Sequence, residues 1–345
     1  MKNKILLLTF VVVIVTGLLI GGCTASTPEP TGPIIWKSAN PSGPEHWDSR
    51  AQAWWASEVA AKTGGRLQID NYFGGSSGIE DVDWLAAVRD GRIETNWVWA
   101  GPVTGEMESL GVQELPGFVS GSLELMEDTA EATMPEFAKQ LENHNVILYY
   151  NGFGNPAVMH STVPIRSLAE MKGKKVRSGG ATESELTTLL GGTPLAVSPP
   201  ETYIALQQGV ADAAWFGPDA AAYAFKFYEV AKYMIDVPIG GSAAYFLVNK
   251  DAYNALPGDI QKILTDMIPA FRDKVFEERA ADAATAVGKL ESEGVEVITW
   301  SKEDMAKVSE LAEAIWVTWY NGTSDADARK IYDLTDDYLK KVGAH

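Results

Sequence analysis

Few residues in this chain are placed to do chemistry. The run "KGKKVR" carries Lys172, Lys174, Lys175 and Arg177 on a segment of strand character. An arginine held at a strand end with its planar fork facing a cleft grips a carboxylate through two parallel hydrogen bonds. Taken alone, such a basic cluster reads as a solvated face. Gly74, Ser76 and Gly78 fit G-x-S-x-G, the elbow of a serine hydrolase, between a strand and a helical segment. That chemistry needs a downstream acid and histidine, for which His144, His160 and His345 are the candidates. Only one strand precedes this elbow, however, and a tight turn accounts for the same glycines. Gly152, Gly154 and Ala157 satisfy a relaxed G-x-G-x-x-A dinucleotide pattern. Pro156 follows where a helix would have to begin, so a glycine-rich crossover between two lobes is the better reading.

Composition narrows the classes. The chain has 345 residues, 46% of them hydrophobic, enough for one large or two medium domains with a sizeable core. Its formal charge is −18, which makes nucleic acid an improbable partner. Exposed charges are screened beyond roughly 10 Å at moderate salt, so the basic surroundings of Arg177 still allow an anionic ligand. Lys2 and Lys4, the apolar run Ile5 to Ile20 and "GGC" read as a lipoprotein signal, residues 1–22, with Cys23 as the acylated amino terminus and a membrane tether. Cys23 is the single cysteine, so neither a disulfide nor a thiolate metal site is expected. Residues 23–33, polar and proline-rich, form a flexible tether.

Beyond Ile34 the chain alternates strand-like and helix-like segments, an α/β pattern. Ser42 and Glu45 form a capping box ahead of a helix whose apolar stripe is Trp47, Ala51, Trp55 and Val59. Trp47, in the first turn, is the member of that stripe that also faces a cleft. "TNWVWAGP" is a strand with Trp97 in the core and Trp99 near its carboxyl end, where ligands sit in open α/β sheets. "VILYYNGFGNPAV" and "AAYFLVN" are apolar crossover strands. Thr182 with Glu185, Ser198 with Glu201, and Ser301 with Glu303 and Asp304 open later helices. Glu183 and Glu185 at one helix start argue against a phosphate there. Pro269 interrupts a long helical stretch and bends it.

The ordered run "PIRSLAEMKGKKVRSGG", "GGTPLAVSPPETYIALQQGVADAAW", "FKFYEVAKYM" and "FLVNKDAYNALPGDIQKIL" resembles the solute-binding subunits of tripartite ATP-independent periplasmic (TRAP) transporters, over nearly all of the chain from Ile34. The resemblance implies a bilobal periplasmic-binding-protein-like fold: residues 34–157 plus 247–287 as one lobe, 158–246 plus 288–345 as the other, and one long bent helix spanning both. It implies a receptor without catalysis or cofactor, which hands an organic acid to a membrane permease, and it assigns the carboxylate to Arg177. Asn155 falls near a polar contact of the first crossover. Where many members have Glu-Asn, this chain has Trp215 and Phe216. That exchange points to a metal-free monocarboxylate with an apolar or aromatic tail, walled by Trp99, Phe153, Trp215 and Phe216. Two alternatives remain: a binding protein of an ATP-driven importer, and a secreted hydrolase using Ser76.

Overall fold

The computed structural model describes residues 32–344; the signal segment, Cys23 and most of the tether lie outside the described residues. Among the described residues, eleven strands build two sheets. In the first, β1 (Ile34–Ala39) pairs in parallel with β2 (Leu67–Tyr72) and with β3 (Thr95–Trp99). β10 (Gly241–Asn249) then runs antiparallel between β3 and β4 (Val146–Pro156), giving the order β2-β1-β3-β10-β4. The second sheet contains β5 (Val158–Ser161), β6 (Lys175–Arg177), β7 (Thr193–Leu195), β8 (Ala213–Phe216), β9 (Tyr233–Ile235) and β11 (Glu296–Ile298), in the order β11-β9-β5-β8-β6-β7.

The chain passes between the sheets three times. β4 ends at Pro156 in the first sheet and β5 opens at Val158 in the second, so Ala157 is the crossing point. The return runs from β9 to β10. Gly241 and Ala243–Asn249 pair within the first sheet, so residues 241–246 side with the first lobe, whereas the sequence reading placed them in the second. The third pass is the helix Ile268–Ser292. Its Phe271 and Val275 pack with Trp97 and Phe246 of the first sheet and with Trp55 of the helix Trp47–Lys62, while its Ala286 and Leu290 pack with Met234 of the second sheet and with Phe227 beside it. Met267 separates it from the helix Gly258–Asp266, and Pro269 stands in its first turn, where a missing N–H costs nothing. The spanning element is thus long and bent, in two helical segments.

Local patterns explain the rest. Trp47, Ala51, Trp55 and Val59 are all fully buried along the helix Trp47–Lys62. Ser42 does not cap that helix: its hydroxyl donates to Asp48 (2.7 Å), and His46 takes the cap position. Gly180, not Thr182, caps the helix Ala181–Leu189, and Ser301 accepts from the Asp304 amide as its sequence suggests. The last helix, Ala326–Val342, packs on Leu123–Glu142 through Gln113, whose amide donates to Thr133 and Thr335. That tail therefore belongs with the first lobe, against the division read from sequence, because its apolar face finds its partner there.

An aromatic such as Phe271 removes roughly 150–250 Å² from water. Phe271→Ala is expected to lower unfolding stability by about 3–5 kcal/mol, read as a shift of the urea midpoint with the slope unchanged.

Candidate functional site

A cavity of about 130 Å³ opens where the two sheets' loops face each other. On the scale of one water per roughly 10–15 Å³, that admits a molecule of about ten non-hydrogen atoms. Its walls come from both lobes and from the crossovers: His46, Trp99 and Glu114 from the first, Gly154, Asn155 and Ser242 from the crossing strands, and Arg177, Glu183, Trp215, Phe216 and Asp219 from the second.

β6 delivers Arg177. Val176 is fully buried in the core, and strand alternation sends Lys175 and Arg177 the other way. Lys172 is exposed and Lys175 donates to the Gly209 carbonyl (2.7 Å), but Arg177 is only 5% exposed. The basic run is thus a solvated face except at its last residue. Arg177 Nε donates to the Val197 carbonyl (3.0 Å), and its guanidinium carbon lies 4.4 Å from the centre of the Phe216 ring. It forms no ion pair among the described residues, and its two terminal amino groups have no protein acceptor. Burial lowers its pKa, opposed by Glu183, Asp81 and Glu114. An arginine stays protonated regardless, so a desolvated cation faces the cavity.

Two carboxyls stand near it. Burial pushes Glu183 up to about 7, against the pull of Arg177 and of the Gly179 amide, which donates to it. Burial and the charge of Glu183 push Glu114 up to about 8, against the Ala243 amide (2.8 Å) and Arg177. At the opposite end His46 bridges the lobes, with Nδ1 2.8 Å from Asp48 and Nε2 3.2 Å from Asp219. Burial alone would depress His46, but Asp48 and Asp219 outweigh it and raise it to about 10. Asp219 is pushed up by burial and held below the usual carboxylate range by His46, the Ala220 amide and Asn155.

The aromatics divide. Trp99 lies against Gly154, where a Cβ would stand 3.0 Å from its ring. Trp215 is pinned by its indole N–H on Thr187 (3.0 Å) and turns one side to the cavity. Two expected wall residues are not in the lining. Trp47 is fully buried behind Trp99, its indole N–H on Asp219 (2.9 Å). Phe153 is fully buried in the core beneath the first sheet, and its carbonyl accepts from Arg279 (2.6 Å). Gly154 and Asn155 line the cavity instead, where the β4–β10 pairing slips between Gly241 and Ala243 and strict alternation is broken. Asn155, 6% exposed, lines the cavity with its amide beside Asp219. His46, Glu114 and Asp219 carried no recognisable signal: His46 and Asp219 meet across 173 residues. No three His, Cys, Asp or Glu among the described residues are placed to share a metal ion.

Ser76 lies exposed on a turn with Gly74, Gly75 and Gly78 in the left-handed region, and it bonds to no histidine. His160 is buried in the second sheet and pushed down to about 4, and His345 lies outside the described residues. Strand β4 runs through Gly152 and Gly154 without a helix, so the dinucleotide pattern has no phosphate site.

Two mixed sheets, two crossover strands and a bent spanning helix around a largely apolar cavity lined by both lobes form the architecture of a solute receptor. The chain belongs to the bacterial extracellular solute-binding proteins of family 7, the DctP family, whose model matches residues 39–323. Among solved structures, it is similar to DctP7 of Bordetella pertussis, an extracytoplasmic solute receptor binding pyroglutamic acid (TM-score 0.81, 20% identity, 88% of this chain and 99% of that one). A TRAP solute-binding protein of Desulfovibrio salexigens with bound orotic acid is equally similar (TM-score 0.81, 20% identity, 89% and 99%). Among curated relatives, protein y4mM of Sinorhizobium fredii is 26% identical over 263 residues, 75% of this chain. The match spans about half of that relative's length, 48%.

His46 gives a test of the interlobe bridge. Its folded pKa lies above the ordinary 6.5, so its stabilisation is complete below about 6.5 and is lost as pH rises toward about 10. Wild-type stability is expected to fall through that window by up to about 1.4 kcal/mol per pH unit, and His46→Gln to remove that slope in denaturant titrations.

Proposed function

We propose that this protein captures a small organic monocarboxylate between its lobes and presents it to a TRAP-type permease. The observation that carries this reading is Arg177, a buried cation with no ion pair among the described residues and both terminal amino groups free. A carboxylate on that fork gains charge-assisted hydrogen bonds of about 1.5–3 kcal/mol each. Micromolar affinity needs about 8 kcal/mol in total, and the remainder falls to Trp99, Trp215 and Phe216 along the ligand body and to Asn155 as a polar contact. Because Arg177 and Trp99 come from different lobes, a ligand touching both favours the closed form over the open one.

The aromatic walls favour a ligand with an apolar or ring-bearing body. The ring acids bound by the two similar receptors, pyroglutamic and orotic acid, are of matching size and charge. The second cation in the lining, His46, is already shared between Asp48 and Asp219, which leaves nothing to neutralise a second ligand carboxylate.

Arg177→Ala is expected to cost about 2–5 kcal/mol of binding, and Arg177→Lys to recover part of it, since a point charge cannot match the fork. Calorimetry giving wild-type affinity for Arg177→Ala would sink the reading. A thermal-shift panel of aliphatic, aromatic, 2-oxo and dicarboxylic acids, with and without chelator, tests the ligand class; stabilisation by dicarboxylates alone, or only with a metal ion present, counts against it. We also propose that Cys23 is acylated and tethers the receptor to a membrane surface. Cys23→Ala should then move the protein from the membrane pellet to the soluble fraction, and a variant still in the pellet refutes the anchor.

A further inference from the structure

Arg177, Glu114 and Glu183 converge on one end of the cavity from three elements. Glu114 closes the 3-10 segment Glu108–Glu114 of the first lobe, Glu183 lies in the first turn of Ala181–Leu189, and Arg177 ends β6. Two glycines clear the space between them. A Cβ on Gly179 would stand 3.3 Å from both Arg177 Nη1 and Glu183 Oε2, and one on Gly101 would stand 3.4 Å from Glu114 Oε2 and 2.8 Å from the Gly179 carbonyl. The other groups acting on this cluster are Asp81 on Arg177, Tyr245 beside Glu114, and the amides of Ala243 and Gly179. Tyr245 is a neutral phenol whose hydroxyl donates to the Leu110 carbonyl (2.7 Å). His46, Asp48 and Asp219 form their own buried set at the other end.

The charge count is unfavourable for an anion. With both glutamates ionised, the cluster carries one positive and two negative charges. A bound carboxylate would leave it with a net charge of minus two in a site shielded from water, where like charges raise one another's pKa.

The geometry points to a proton-coupled site: when a carboxylate seats on Arg177, the Glu114–Glu183 pair takes up one proton from solvent, so the cavity accepts the anion without gaining negative charge. This rests on the carboxylate reading above and specifies how that site selects its ligand. A protonated glutamate is a donor and can bond the same carboxylate that Arg177 grips. A second ionised group on the ligand would demand a second proton, so the pair discriminates against dianions.

The positions of the two acids agree with this. Burial already brings them to about 7 and about 8, and Arg177 is what holds each lower. An anion on Arg177 cancels that influence and raises both. They titrate as a coupled pair. Affinity is therefore flat while the free pair is fully protonated and falls as pH rises through its range, by up to about tenfold per unit for one proton.

The test has a ligand-free and a ligand-bound arm. Carbon NMR of the glutamate carboxyls in the free protein should show two groups titrating above pH 6, one lost in Glu183→Gln and the other in Glu114→Gln. Calorimetry with pyroglutamate at pH 7.5, in buffers of different ionisation enthalpy, should show uptake approaching one proton, and none in the Glu114→Gln/Glu183→Gln double variant. The wild-type Kd should rise about tenfold per unit above the free pair's range, and the double variant should be flat from pH 6 to 9. All glutamates titrating below pH 6 overturns the inference, as does a pH-independent wild-type Kd while Arg177→Ala still abolishes binding. If Arg177→Ala binds like wild type, the carboxylate reading itself is the failure. The NMR arm needs no ligand, so it decides the state of the pair even where pyroglutamate gives no heat.

Discussion

A guanidinium taken out of water without a carboxylate in contact is the constraint around which this structure is arranged. It cannot escape by losing its proton, so its solvation must be replaced by fixed groups. The Val197 carbonyl and the face of Phe216 replace part of it, and two carboxyls that burial keeps partly neutral add a diffuse field. The remaining deficit is directional: two amino groups with no protein acceptor, aimed into an enclosed space. The sheets and crossovers serve to bring a second wall up to that fork.

The machinery between the lobes is held as firmly as the fork. Arg279, fully buried on the spanning helix, ties the carbonyls of Phe153 and Leu123 and pairs with Glu127 (3.2 Å). Arg50 binds Glu278 (2.6 Å) and Asp282 (2.7 Å) of the same helix, and Asp282 also accepts from the Trp47 amide (3.1 Å). Of these pairs only Arg279 and Glu127 are both buried, so removing either leaves the other uncompensated. The spanning helix is thus tied by charge to the helix Trp47–Lys62, to the helix Leu123–Glu142 and to the first crossover strand.

Much of the fold was legible in the sequence because it rests on local signals: the stripe Trp47, Ala51, Trp55, Val59, the alternation in "TNWVW", and Pro269 at the break of the long helix. The lobe boundaries were less so. A strand's partner is chosen by its hydrogen bonds across the sheet, which placed Gly241–Phe246 with β3 and β4, and an amphipathic tail helix does not announce which lobe it covers. In the site, the position of Arg177 follows from its place at the end of a short strand. Trp47 and Phe153 were misread as walls because periodicity tells which residues share a face but not which face meets the cleft. His46, Glu114 and Asp219 were silent, since what makes them notable is burial beside groups far away in the chain.

The near contact of Gly101 and Gly179 has a bearing on ligand length. Main chain meets main chain there, with no side chain to yield, so closure at the Arg177 end stops at a fixed distance. Away from the fork a side chain sets the limit, Trp99 against Gly154. The cavity thus works as a gauge with a rigid zero at the ligand's head and an adjustable stop at its tail. Relatives could come to bind longer or shorter solutes by exchanging aromatics, without disturbing the end that recognises the charge.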